Sequence, residues 1–498
     1  MDVGELDPPE AAERRRARGG PRTGAAIFLL ALPPLLLASS LLLGDRAADL
    51  LFADLNPVPC SADRLLGGLL SPEFGDETTT CLSRYAVSKR WVTPSPFPVS
   101  PYLVRKLRRY EARHRRCGPG TTKNNSSGGE CRYFLVRSCQ ILFVEIPEIS
   151  CLAVTFEFCF SENIFSGRYM AWLPPAEGLG NRMRSLVSAF LYALLTDRVL
   201  LVRETPEMQG LFCEPFPGTS WLLPPDVPYA DDDGLHLRRG NNTSSSYIDM
   251  ERSKYRLQDH RVLDRLRSES YFAVALFLVP MYRAELDRMF PSGNKGAVFH
   301  HLGRYHLRPG NRAWAIVERF YDDHLAGADE LLGIQHGLLP VSKKKKAVLV
   351  ASLKREYYDK LRAVYHDDDT AVHQASHDGE QRSGDRAHNE RALAEIFLLS
   401  YCDRVVTTAM STFGYAEHAL AGLRPWMLRA LDWTNKQDDD DDGAACVRAA
   451  SVEPCLHSAP SLECCRAFPE QVRDPVARFP PFLRHCEDVS FGLKLFHD

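Results

Sequence analysis

Between Tyr169 and Val202 the chain reads strand, glycine loop, helix, strand, and that order leaves few folds open. Tyr169 to Leu173 suits a short buried strand. A loop ending Gly178-Leu179-Gly180-Asn181-Arg182 follows, after which Leu186, Val187, Phe190, Leu191 and Leu194 share one face at helical spacing, so a helix is expected to about Thr196. Val199 to Val202 is the next strand. A strand–helix–strand crossover of this kind builds an open parallel sheet covered by helices.

A second set begins at Ala347 to Ala351, a buried strand, with helices expected over Arg355 to Tyr365 and Arg391 to Leu399. Val405 to Ala409 is a strand ending at Ser411-Thr412-Phe413-Gly414-Tyr415, where a helix through Leu420 opens, and Trp426 to Leu428 closes the pattern. With 498 residues the chain exceeds one ordinary core. Two doubly wound halves imply a ligand cleft between them.

Two loops have the chemistry to line that cleft. Gly178, Gly180, Asn181 and Arg182 place backbone amides and a guanidinium at a helix start, where the helix favours anions. The loop is not a complete dinucleotide fingerprint, because Met183 takes the final glycine position. A plain strand-to-helix turn is equally consistent with it. Ser411 to Gly414 brings two hydroxyls and free amides to another helix N-terminus, which suits a diphosphate, or else caps its own helix. His300-His301-Leu302-Gly303-Arg304-Tyr305 offers a polar patch for a cleft wall, with His301 and Arg304 as candidates. Adjacent histidines on a strand point to opposite faces, which argues against zinc and puts the pair half in the core and half at the surface. Acidic runs at Asp231–Asp233, Asp367–Asp369 and Asp438–Asp442 sit in polar loops and read as solvated charge rather than a metal site. Hydrolase elbow, zincin, Walker and C-x-x-C patterns are absent.

The address is written at the N-terminus. Gly24 to Gly44 is uncharged and leucine-rich, long enough to cross roughly 30 Å of hydrocarbon, although Pro33-Pro34 would kink it. Arg14, Arg15, Arg16, Arg18 and Arg22 precede it and only Arg46 follows closely, so the N-terminus stays cytosolic. A cleaved signal peptide is the rival, but the stretch is long for one and lacks a convincing cleavage site. All fourteen cysteines lie at or beyond Cys60, and Asn124, Asn125, Asn241 and Asn242 begin glycosylation sequons, both consistent with an oxidising lumen. A net charge of −3 gives no bulk reason to expect nucleic acid. The basic cluster Arg105 to Arg116 reads as a solvated helix face.

Several blocks resemble the plant xyloglucan fucosyltransferase family, glycosyltransferase family 37. They are Asp63 to Leu70, Cys81 to Tyr85, Gly178 to Val202, Leu211 to Pro224, Phe299 to Tyr305, Ser411 to Tyr415, Glu453-Pro454-Cys455 and Arg484 to Asp488. The resemblance implies an α/β GT-B fold: two Rossmann-like doubly wound domains facing a cleft, behind an N-terminal transmembrane helix. The layout expected is a cytosolic tail (1–23), an anchor (24–44), a stem and lead-in (45–130), an acceptor-side domain (131–325) and a GDP-fucose-side domain (326–498). It implies inverting, metal-independent transfer of L-fucose from GDP-fucose to a galactose hydroxyl of a cell-wall polysaccharide or glycoprotein. The location implied is the Golgi cisterna membrane, in type II orientation, as a homodimer or beside other Golgi glycosyltransferases. GDP-fucose is substrate, and no cofactor is expected. The family's donor turn maps to Ser411, Thr412, Phe413, Gly414 and Tyr415, and its glycine loop to Gly178, Gly180, Asn181 and Arg182. No catalytic base is assigned.

Two departures stand out. Family members continue from Gly-Ile-Gln into a strand whose arginine is thought to grip the donor diphosphate. Here Gly333-Ile334-Gln335 runs into His336-Gly337-Leu338 and soon reaches Lys343. His336, Lys343 to Lys346 and Arg304 are the basic groups available as substitutes. The apolar, cysteine-rich segment Phe134 to Ser166 has no counterpart in the family pattern. A catalytically impaired, membrane-anchored relative that binds nucleotide or partner enzymes is therefore the alternative reading.

Overall fold

The computed structural model describes residues 65–71, 81–91, 95–119, 140–142, 156–158, 169–224, 235–237, 263–334, 345–365, 370–428, 446–457 and 480–497. The tail, the anchor, the four sequon asparagines and the three acidic runs lie outside these residues. From Arg64 onward the chain forms one compact unit.

Two open sheets carry it. The first is wholly parallel, with strands β1 (Tyr169–Leu173), β2 (Val199–Val202), β3 (Leu235–Leu237) and β4 (Leu263–Ser268) in the order β2-β1-β4-β3. The second holds β5 (Glu330–Ile334), β6 (Lys346–Val350), β7 (Thr370–Gln374), β8 (Arg404–Thr408), β9 (Trp426–Leu428) and β10 (Cys446–Arg448). Its order, β7-β6-β5-β8-β9-β10, is parallel except for β10. Read from β5, that is 3-2-1-4-5-6, the Rossmann order. The two Rossmann-like sheets give a GT-B-like α/β fold. A separate antiparallel pair, β11 (Leu483–His485) and β12 (Leu493–Leu495), holds the C-terminus. Within the unaligned segment, Gln140–Leu142 pairs only with Phe156–Phe158 among the described strands.

The principal helices are α1 (Ser83–Arg90), α2 (Pro101–Cys117), α3 (Leu179–Thr196), α4 (Pro280–Met289), α5 (Val298–His306), α6 (Asn311–Phe320), α7 (Arg386–Leu399) and α8 (Thr412–Ala421). The lead-in is more than a stem. Residues 81–91 and 95–117 pack on the core: Cys81 is disulfide-bonded to Cys213, and Ser83 Oγ donates to Pro309 O at 2.6 Å. Ser100 caps α2 by accepting from the Tyr102 and Leu103 amides, with Pro101 at the first turn where its missing N–H costs nothing. Leu103, Leu107 and Tyr110 face inward and Arg109, Arg115 and Arg116 are exposed, but the basic cluster is only partly a solvated face: Arg108 reaches Gly68 O at 3.0 Å and Lys106 pairs with Asp197 and Glu285 at 3.2 and 3.1 Å.

Helix α3 departs from the one-faced helix that the spacing suggests. It is buried nearly all round, because it lies between the first sheet and helices α5 and α8. Apolar burial on that scale, roughly 25 cal/mol per Å², fixes its position against both halves of the chain.

Candidate active site at two helix N-termini

In a 3-2-1-4-5-6 sheet the strand order reverses between β5 and β8, and ligands bind outside the carboxyl ends of those strands. Strand β8 ends at Thr408; Ala409, Met410 and Ser411 then turn the chain into α8. Met410 adopts a left-handed φ of 60°. Strand β5 ends at Ile334, and residues 335–344, where the resemblance leads one to expect the family's arginine, lie outside the described residues. Lys346, one of the substitutes considered, opens β6 at its amino end and is 5% exposed, so it stands at the wrong edge of the sheet.

The turn into α8 is held from below. Ser411 Oγ accepts the Gly414 amide at 3.0 Å, so this hydroxyl serves as the N-cap. Thr412 and Phe413 are partly exposed beside it. Tyr415 is fully buried, donates its hydroxyl to Asp488 Oδ2 and lies 3.2 Å from His457 Nε2. The same Asp488 oxygen accepts the Met410 amide at 2.8 Å, which ties down the left-handed residue. Burial first, then the Asp488 charge, pushes the Tyr415 phenol far above its usual range. Tyr415 therefore braces the turn into α8 from the buried side. Asp488 and His457 went unassigned from sequence; the Arg484–Asp488 block was the available signal for the first.

The glycine loop meets this turn directly. A Cβ built on Gly180 would lie 2.4 Å from Thr412 O and 2.6 Å from Phe413 N, so only glycine lets the two backbones touch. The N-termini of α3 and α8 thus converge, and their partial positive charges add in one place. Gly178 caps α3 without a side chain. Asn181 Oδ1 accepts Arg184 Nη2 at 2.7 Å, and Arg184 also donates to Cys455 O at 3.0 Å while its guanidinium stands 5.5 Å from the Tyr415 ring centre. Asn181 accordingly links α3 to α8 through Arg184, a residue sequence reasoning missed. Its spacing of three from Asn181 was the clue.

Arg182 is turned beneath its loop. It is 2% exposed and donates Nε to Pro175 O at 3.0 Å, with Glu207 at 3.7 Å. Its buried Nη1 has no partner among the described residues. Burial lowers its pKa, against the pull of Glu207 and Glu177.

The cleft-wall expectation for His301 and Arg304 is corrected. Their block is helix α5, not a strand, and both histidines are buried. His300 Nδ1 lies 2.9 Å from Ala419 O, and Arg304 donates to Leu420 O at 2.7 Å and Ala421 O at 3.2 Å over the Trp91 ring. These groups cap the C-terminus of α8, roughly 15 Å from its N-terminal end by helix rise. His301 is held down to about 3 by burial and by Arg304. Cys455, Cys486 and Asp488 approach one another within metal-ligand reach, but the two sulfurs are joined in a disulfide and cannot serve as thiolates.

Among the described residues no helix is long and apolar enough to cross a membrane.

A family model described as "Xyloglucan fucosyltransferase" matches residues 47–133, 153–265, 257–343 and 339–465. The model leaves 134–152 unmatched but covers 153–166, so only the first part of the segment Phe134 to Ser166 lacks a family counterpart. A galactoside 2-alpha-L-fucosyltransferase of Arabidopsis thaliana is 35% identical, over 92% of this chain and 88% of that protein. The Pisum sativum protein of the same name is 35% identical, over 89% and 84%. A structure of an arginine-to-lysine mutant of Arabidopsis thaliana FUT1 in complex with GDP is 34% identical, with a TM-score of 0.66 over 87% of this chain and 100% of that one. On this coverage, and with the sequence blocks falling on the two touching helix starts, the chain belongs to the xyloglucan fucosyltransferase family.

Proposed function

We propose that this chain is a GDP-fucose-dependent galactoside α-1,2-fucosyltransferase, inverting and metal-independent, acting on a galactose-ended cell-wall glycan such as xyloglucan. The observation that carries the reading is the contact of Gly180 with Thr412 and Phe413, which joins two helix N-termini at the reversal point of a Rossmann-ordered sheet. Transfer breaks the bond from fucose C1 to the diphosphate and forms one from C1 to the galactose oxygen, whose proton passes to a base. The leaving diphosphate carries away the electron pair and needs positive charge around it. Helix amides supply that charge without rearranging. The names of the relatives support fucosyl transfer to galactosides.

The Arg14–Arg22 cluster before Gly24–Gly44 supports a type II anchor in the Golgi membrane, with a luminal body stapled by Cys81–Cys213 and Cys455–Cys486. One observation favours a second reading, a nucleotide-binding relative with impaired catalysis: His336 stands where the family pattern leads to its arginine. Loss of one preorganised donor costs ~3 kcal/mol of barrier, about a hundredfold in rate.

Incubating the full-length chain with GDP-fucose and galactosylated xyloglucan, with EDTA present, tests the first reading. Fucose transfer is the expected result. Calorimetric GDP binding without transfer selects the second reading, and a folded protein that neither transfers nor binds GDP defeats both.

A further inference from the structure

The larger sheet carries a second recess, at the edge opposite the donor crevice. Trp426 opens β9 and is paired in register with Arg448 of β10. It is 37% exposed, whereas its neighbour Met427 is wholly buried. The Arg448 guanidinium carbon stands 6.0 Å from the indole centre. Together with Asp403, Arg404, Leu423 and Arg424 these two line a recess of about 330 Å³.

Among the described residues its charge is not balanced. Asp403 spends a carboxylate oxygen on the Leu331 amide at 2.9 Å, and Arg404 pairs with Glu330 at 3.4 Å. Arg424 and Arg448, both exposed, have no ion-pair partner among the described residues. Planar guanidinium groups bind carboxylates through two parallel hydrogen bonds, and an indole face packs on an apolar ring face. The volume is at the low end of small-ligand sites, roughly 300 to 1,000 Å³, which suits a ring-sized ligand better than a folded partner.

We infer that this recess is a secondary glycan site for a carboxylated sugar, with the pyranose ring on Trp426 and the carboxylate on Arg424 and Arg448. Because the recess sits at the amino ends of β8 and β9, it can hold an acidic glycan without occupying the donor crevice. The inference does not depend on catalytic activity.

The test is calorimetric titration of the full-length chain with trigalacturonate, a neutral trisaccharide of matched length, and inorganic phosphate, for wild type and for R424A, R448A and W426A. Trigalacturonate is expected to bind saturably, each substitution to weaken it at least tenfold, and 0.5 M salt to weaken it further. Thermal melts and GDP titration, expected to be unchanged, report whether the variants remain folded. Equal binding of the neutral trisaccharide overturns the inference. So does phosphate binding that equals that of trigalacturonate and ignores W426A, which would mean a bare anion site. Trigalacturonate binding that survives all three substitutions also overturns it. A W426A variant that alters only the oligomeric state, with no uronate binding in wild type, would assign the patch to a protein contact instead.

Discussion

Replacing Gly180 by alanine adds one methyl group where two backbones touch. The new Cβ would sit 2.4 Å from Thr412 O, 2.5 Å from Thr412 C and 2.6 Å from Phe413 N, against an ordinary contact beginning at 3.4 Å. The start of α8 must therefore retreat by about 1 Å, taking 3.4 minus 2.4 Å. None of the three atoms is a side chain that can swing aside. Overpacking of this kind costs ~1–3 kcal/mol, and alanine's better helix propensity returns at most ~1 kcal/mol. A displacement of about 1 Å at a reacting site costs on the order of a hundredfold in rate. Gly178→Ala is the internal control, since the three atoms nearest its Cβ all belong to the movable amide of Gln381, from 2.3 Å. Urea unfolding, GDP calorimetry and transfer assays on both variants should separate them: Gly180→Ala loses stability, GDP affinity and about a hundredfold in transfer, and Gly178→Ala stays close to wild type. If Gly180→Ala keeps wild-type GDP affinity and urea midpoint, the two helix starts do not form one site and the functional reading loses its support.

Three further outcomes are expected. Arg304→Met removes two carbonyl contacts at the C-terminus of α8, so it should cost ~2–3 kcal/mol in urea unfolding while leaving GDP affinity unchanged; a selective loss of GDP binding would restore Arg304 to the cleft. Asp488→Ala and Tyr415→Phe share one hydrogen bond, so each should cost ~1–3 kcal/mol and the double variant should cost clearly less than the sum, with additivity rejecting the coupling. Glu395 and Glu453 are raised to about 8, chiefly by burial, so the folded chain keeps protons that the unfolded chain releases from about 4.5 upward. Stability from these groups therefore falls as pH climbs from 4.5 to 8, by at most ~1.4 kcal/mol per pH unit each. His114, His301 and His306, held down to about 4, 3 and 3 by burial, act oppositely up to 6.5. The urea midpoint should peak near pH 6.5 and decline to pH 8, and a decline that Glu453→Gln and Glu395→Gln both leave untouched refutes the assignment.

Local pattern settled much of this protein. Tyr169–Leu173, Val199–Val202 and Trp426–Leu428 were readable to the residue, because buried strands are short apolar runs and turn chemistry bounds them. The Ser411 turn was equally legible, since an N-cap is written in adjacent residues. The block Phe299–Tyr305 was misread as strand although Val298, Leu302 and Tyr305 keep helical spacing, because a short apolar run satisfies either period. Strand Leu263–Ser268 escaped notice because Asp264, Arg265 and Arg267 break its apolar signal.

What sequence could not decide is what distant segments do to each other. Strand order, the disulfide pairs, the burial of α3 on all sides and the meeting of Gly180 with Thr412 depend on contacts between residues far apart in the chain, and no local period encodes them. The letters supplied two helix starts suited to an anion. Only the packing of α3 against α8 brought them to one place, and the packing of α5 against α8 set Arg304 to capping that helix at its far end.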